Sequence, residues 1–199
     1  MTLLATALLA VASLAPADPA IETPDCAALE PCLAWFDANA ARIDGEGERL
    51  CELARENLPR FAQSARKPLF ARLDAAPAIR GYAACALAGF GVPLLRAVFD
   101  DMVEHEKNEV RWTAAQDVIR RIGAEAAGMT AAWQRIATDV QESPAPRIAA
   151  LRALEALGPQ AAAARTSLDA LANDEDPEIR EAARRTLAAI GGEGAPGTP

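Results

Sequence analysis

Residues 173–191 read N-D-E-D-P-E-I-R-E-A-A-R-R-T-L-A-A-I-G, an acidic turn that runs into an alanine-rich helix and stops at a glycine. Asp176 can cap free helix amides, and Pro177 is tolerated at a first helical position because its missing N–H would be unpaired there anyway. Ala183, Leu187 and Ile190 fall on one stripe, and Gly191 is placed to take the left-handed conformation that closes a helix.

The same phrase occurs three more times upstream, and self-similarity at a near-constant period is stronger evidence of architecture than any local propensity. Counted from the arginine, Arg180, Ala183, Leu187, Ile190 and Gly191 repeat the offsets of Arg147, Ala150, Leu154, Leu157 and Gly158, and of Arg80, Ala83, Leu87, Phe90 and Gly91. In the remaining copy Arg111, Ala114 and Val118 keep the phase, while Ile122 and Gly123 arrive one residue late, which predicts a widened turn or a slipped cap. The arginines lie 31, 36 and 33 residues apart, a spacing that suits stacked pairs of helices with short turns. Between the phrases, Leu95, Val98, Phe99 and Met102, then Trp133, Ile136, Ala137 and Val140, then Ala164, Leu168 and Leu171 mark the leading helix of each pair. Residues 123–130 predict a short irregular insert.

Composition agrees. Alanine supplies 49 of the 199 residues and aromatics only 5%, which favours close helix contact through small side chains over a β architecture. The expected fold is all-α, a right-handed α-solenoid of about five antiparallel helix pairs. Its acidic, proline-containing turn followed by an arginine, alanine and leucine helix ending in glycine resembles the HEAT-like repeats of the phycobilisome-lyase type, over about residues 67–191. The resemblance implies a fold and an interaction scaffold, and carries over no bilin site, because such repeats serve many functions.

The first 17 residues hold no charged side chain, and residues 3–14 form an apolar run followed by Ala15-Pro16-Ala17. That pattern is read as a signal peptide over 1–17, too short to span a bilayer, with the mature chain starting at Asp18 and a periplasmic or secreted destination. Residues 18–63 form an atypical helical pair: Leu29, Leu33, Phe36, Ala40 and Ile43 mark its first helix, and Leu50, Leu53, Ala54 and Leu58 its second. Residues 64–191 form the repeats and 192–199 a disordered tail.

Four cysteines in an exported chain imply disulfides. If the first two helices form a hairpin at residues 45–47, Cys32 and Cys51 are offset by about 12 Å along the helix axes, too far for a bond. Cys51 and Cys85 sit near the starts of equivalent helices. The expected pairing is Cys26–Cys32 and Cys51–Cys85, against four buried free thiols.

Net charge is −8, the wrong sign for binding nucleic acid or anionic lipid by counterion release. The phased arginines Arg80, Arg111, Arg147 and Arg180 predict a ladder at the helix starts, paired with acceptors such as Asp74, Glu109 and Asp176. His105 is the only histidine, with Asp100, Asp101 and Glu104 nearby, and a metal-dependent or enzymatic accessory factor would centre on it. A solvated helix end is the simpler reading. Residues 173–176 lack the length and glycine of a calcium loop. The expected function is an exported scaffold or adaptor, without cofactor or catalysis, that binds a protein partner through a concave face lined by the second helices. Arg120, Arg121, Arg152, Glu155, Glu181, Arg184 and Arg185 are its candidate contacts. A purely structural envelope component is a further alternative.

Overall fold

The computed structural model describes residues 24–42 and 47–192. The 1–17 leader, Ile43 and most of the C-terminal tail lie outside the described residues. Within them the chain is an all-α solenoid with no strand, built from ten α-helical segments joined by short 3-10 turns.

The first pair is α1 (Leu29–Asn39) and α2 (Gly47–Asn57), followed by α3 (Gln63–Ala71) with α4 (Pro77–Ala88). Then come α5 (Leu95–Glu104) with α6 (Glu109–Ile122), α7 (Thr130–Thr138) with α8 (Pro144–Leu157), and α9 (Arg165–Leu168) with α10 (Pro177–Ile190). The repeated phrase is thus the even helix of each pair from α4 onward. α4, α8 and α10 carry proline in their first turn, and α6 uses Asn108, whose side chain accepts from the Arg111 N–H at 3.0 Å. Asp176 caps α10 by accepting from the amides of Glu178 at 2.8 Å and Ile179 at 3.3 Å.

The even helices stack in one continuous layer, α2 on α4, α4 on α6, α6 on α8 and α8 on α10, while in the odd layer close packing is confined to α7 on α9. The phrase explains this asymmetry. Ala83, Ala114, Ala150 and Ala183 are all buried, and a methyl group at the contact lets neighbouring even helices approach closely. Leu87, Val118 and Leu154, four residues further on, are fully buried, each contributing about 1.5–3 kcal/mol of hydrophobic burial. Leu187 is only partly buried, because no described unit follows α10 to cover it. At the other end, Gly89 lets α4 meet the α2 segment: a Cβ there would lie 2.6 Å from the Arg55 carbonyl oxygen and 2.8 Å from Pro59 Cγ.

Four local expectations change. Gly91, Gly123 and Gly158 take positive φ as helix-ending glycines, but in the last copy Gly191 stays helical at φ −72° and Gly192 takes the turn at φ +75°. The late Gly123 of the odd copy simply follows a full-length α6. Residues 123–129 wind into a 3-10 helix that buries Ala126, so the insert is regular. The leading helix around Ala164, Leu168 and Leu171 is mostly 3-10, with four α-helical residues at its centre. Its apolar spacing still buries all three side chains, so the packing survives the change of helix type. Val140 leaves the core stripe, 75% exposed, because α7 ends at Thr138. One helix lies outside the apolar stripes of the sequence. α3, with Ala65, Leu69 and Leu73 buried on steps of four, hides its period behind the internal Pro68.

Two disulfides fasten the N-terminal units. Cys26–Cys32 closes a short loop onto α1 with a Cα separation of 4.7 Å, and Cys51–Cys85 ties α2 to α4 at 5.2 Å. Asp37 on α1 receives Arg72 at 3.0 and 2.7 Å and the Tyr82 hydroxyl at 2.5 Å, binding α1 to the end of the α3 segment and to α4. Burial would raise the Asp37 carboxyl, but the hydrogen bonds from Arg72 and Tyr82 and the Arg72 charge outweigh it and hold the group below its ordinary value. No single helix among the described residues is long and apolar enough to cross a membrane.

Candidate functional site

The arginine ladder is internal only at Arg111 and Arg147: Arg80 and Arg180 are half-buried, and the Arg80 side chain has no hydrogen bond or ion pair among the described residues. Arg111, 6% exposed, donates to both oxygens of Asp101 at 2.9 and 2.6 Å and also to Asp74, tying α6 to α5 and to the turn before α4. Arg147 donates to the Ala137 carbonyl at 3.1 Å and to Asp174 at 2.7 Å, and Arg180 reaches the Asp174 carbonyl at 2.5 Å. Asp74 is therefore an acceptor as expected. Glu109 and Asp176 are not: Glu109 turns to Arg152 in the next even helix, and Asp176 is consumed by capping α10. Burial raises the Asp174 carboxyl, but the Asp176 amide and the Arg147 and Arg180 guanidiniums outweigh it and hold the group below its ordinary value.

His105 stands at the C-terminal end of α5, where its Nδ1–H donates to the Asp101 carbonyl at 3.0 Å. The Asp101 carboxylate, 3.6 Å away, is already taken by Arg111. Among the described residues no group of three or more His, Cys, Asp or Glu side chains could hold a metal ion.

The even layer presents a groove of about 1020 Å³ across the N-terminal halves of α6, α8 and α10. Its floor is Trp112 and Ile148, both buried, and its walls include Glu109, Arg152, Glu181 and Arg185. Trp112 is fixed because its indole N–H donates to the Met102 carbonyl at 2.7 Å. The Arg152 guanidinium lies 5.2 Å over the Trp112 ring and pairs with both oxygens of Glu109 at 3.0 and 3.1 Å. Burial, and next the neighbouring Arg185 charge, pull the Arg152 guanidinium below its ordinary value against the opposing carboxylates of Glu109 and Glu155.

Of the seven candidate contacts, the structure gathers Arg152, Glu181 and Arg185 in this groove. Arg152 is not a free surface charge: it is 8% exposed and neutralised from within. Glu155 stands behind it, 3.8 Å from its guanidinium and accepting from Gln116 at 3.3 Å. Arg184 is exposed outside the groove lining. Arg120 and Arg121 lie at the far end of α6, both near Asp117, and Arg121 borders a second cavity of about 650 Å³ between α2 and α4.

The repeat register holds a signal that residue types alone did not reveal. The positions one and five residues after each ladder arginine are Gly81 and Cys85, Trp112 and Gln116, Ile148 and Arg152, and Glu181 and Arg185. An i, i+4 pair points one way from a helix, so these rows trace one face along the even layer. Seven of the eight line one of the two cavities.

No protein-family model matches this chain, and no curated protein matches it. Among solved structures it is similar to an engineered protein at 18% identity, with a TM-score of 0.35 over 81% of this chain and 80% of that one. It is also similar to a designed armadillo repeat protein at 17% identity, with a TM-score of 0.34 over 84% of this chain and 79% of that one. At these scores the fold rests on the helix pairs themselves.

Proposed function

We propose that this protein is an exported scaffold or adaptor that holds another protein against the even-layer face, and that it does so without catalysis or a cofactor. One observation carries the reading: three successive even helices together form a groove of about 1020 Å³ with an apolar floor and walls of both charge signs. Such a surface suits an extended protein segment with an apolar side chain for the Trp112–Ile148 floor, a basic group for Glu178 and Glu181, and an acidic group for Arg185. The net charge of −8 disfavours nucleic acid. The apolar leader at 3–14 and the paired cysteines support export to a periplasm or beyond.

The test compares three forms of the full chain as bait for proteins of the native envelope fraction. They are the wild type, the groove charge reversal Glu181→Arg/Arg185→Glu, and Arg135→Glu on α7. A partner retained by the wild type and by Arg135→Glu but lost by the groove reversal meets the expectation. Equal retention by all three contradicts it.

A further inference from the structure

The two disulfides differ in one feature that links distant parts of the chain. Arg121, at the C-terminal end of α6 and two units beyond α2, donates Nη1 to the Cys51 sulfur at 3.0 Å while Asp117 holds its Nε at 2.7 Å. Neither sulfur of Cys26–Cys32 receives a hydrogen bond among the described residues. Residue exposure does not separate the two bridges, since each has one partly exposed cysteine, Cys26 or Cys51, and one buried cysteine, Cys32 or Cys85. Cys51 and Cys85 open onto the cavity of about 650 Å³ on the even-layer face. Its other charged or titratable lining groups are Glu48, one turn before Cys51 on α2, Tyr82, whose hydroxyl is given to Asp37, and Arg121 itself.

A guanidinium N–H on a sulfur favours the thiolate over the thiol, which eases departure of that sulfur and its return attack. We propose that Cys51–Cys85 is a thiol–disulfide exchange centre whose redox partner is a dithiol, and that Arg121 stabilises Cys51 as the thiolate. A thiolate of the dithiol enters the cavity, drawn by the Arg121 charge beside Cys51, and attacks Cys51 Sγ. The Cys51–Cys85 bond breaks, and its electron pair passes to Cys85 Sγ, which takes up a proton. The second thiolate of the dithiol then attacks its own sulfur in the mixed disulfide, and Cys51 leaves as a thiolate facing Arg121. The dithiol has lost two electrons and become a disulfide, the Cys51–Cys85 bridge has gained them, and one proton goes to solvent. The reverse sequence reoxidises the pair. α2 and α4 stay packed through Leu50, Ala54 and the Gly89 contact, so the exchange does not require unfolding.

The test exposes the full-length oxidised protein to dithiothreitol at pH 7, quenches by alkylation at timed intervals and reads each cysteine peptide by mass, with circular dichroism in parallel. Cys51–Cys85 is expected to open several-fold faster than Cys26–Cys32. Arg121→Ala should slow that opening at least about threefold without changing Cys26–Cys32, and Arg121→Lys should restore part of the rate. In the reduced protein, alkylation of Cys51 should titrate below about 8.5, the ordinary thiol value, and shift upward in Arg121→Ala. Arg121 is on the surface, and an unchanged dichroism spectrum shows that the variant folds. Equal opening rates of the two bridges in the wild type overturn the proposal. So does an Arg121→Ala rate for Cys51–Cys85 that is unchanged or faster.

Discussion

Replacing Arg111 with alanine removes the cation at the centre of the ladder. In the native protein its guanidinium meets both oxygens of Asp101, a carboxylate 10% exposed, and also Asp74. Among the described residues Asp101 has no second cation to turn to except the neighbouring His105, 3.6 Å away and charged only when protonated. Truncating one member of a buried ion pair strands the other, and the expected loss is about 3–5 kcal/mol. For a chain of this size that corresponds to a fall in melting temperature of about 6–20 °C. Thermal unfolding followed by circular dichroism at pH 7 measures it. Arg184→Ala, an exposed control, should shift the midpoint by no more than about 2 °C. Adding Asp101→Asn to Arg111→Ala should return part of the loss, because the stranded charge is then gone. A loss below about 1 kcal/mol for Arg111→Ala, the level of a solvated surface pair, would refute the structural reading of the ladder.

Other expectations follow from burial and from the acidic groups. Leu154→Ala should cost about 2–5 kcal/mol by chemical denaturation, and Leu187→Ala at most about half of that, since only the former is covered on both sides. Gly89→Ala should cost about 1–3 kcal/mol, measured in the same way, because its Cβ would press on the Arg55 carbonyl and Pro59. Asp37 and Asp174 are both held below their ordinary values, so the stability they contribute is fully present above the unfolded carboxyl value and is lost as pH falls through the lower folded value. Urea midpoints should therefore drop below about pH 4, and Asp174→Asn should be less stable at pH 7 with a shallower acid limb.

Most of the architecture was legible because the repeat writes it four times. The alanine three residues after each ladder arginine is buried in every copy, and the leucine or valine seven after is buried wherever a described unit follows. What failed was local geometry decided by context. Gly191 and Gly192 are both able to end α10, and the spacing does not say that the second takes the turn. Val140 matches a stripe that outlasts its helix. The pairing of the ladder was unreadable for a different reason: Arg111 reaches back to Asp74 while Arg147 reaches forward to Asp174, and no spacing rule encodes that choice. Residue type does not reveal that Arg152, a candidate contact, is buried, because a guanidinium can be buried when an aromatic ring and a carboxylate receive it. The face itself was recoverable from the rows one and five residues after each arginine.

The scaffold reading meets its most direct test in amide hydrogen exchange on the full chain, free and saturated with the partner that the wild type retains. Bound protein should show slowed exchange at residues 109–119, 144–152 and 178–186, the stretches of α6, α8 and α10 around the groove, with residues 130–138 of α7 unchanged. Slowed exchange confined to the odd helices, or none on the even layer at saturation, would contradict it.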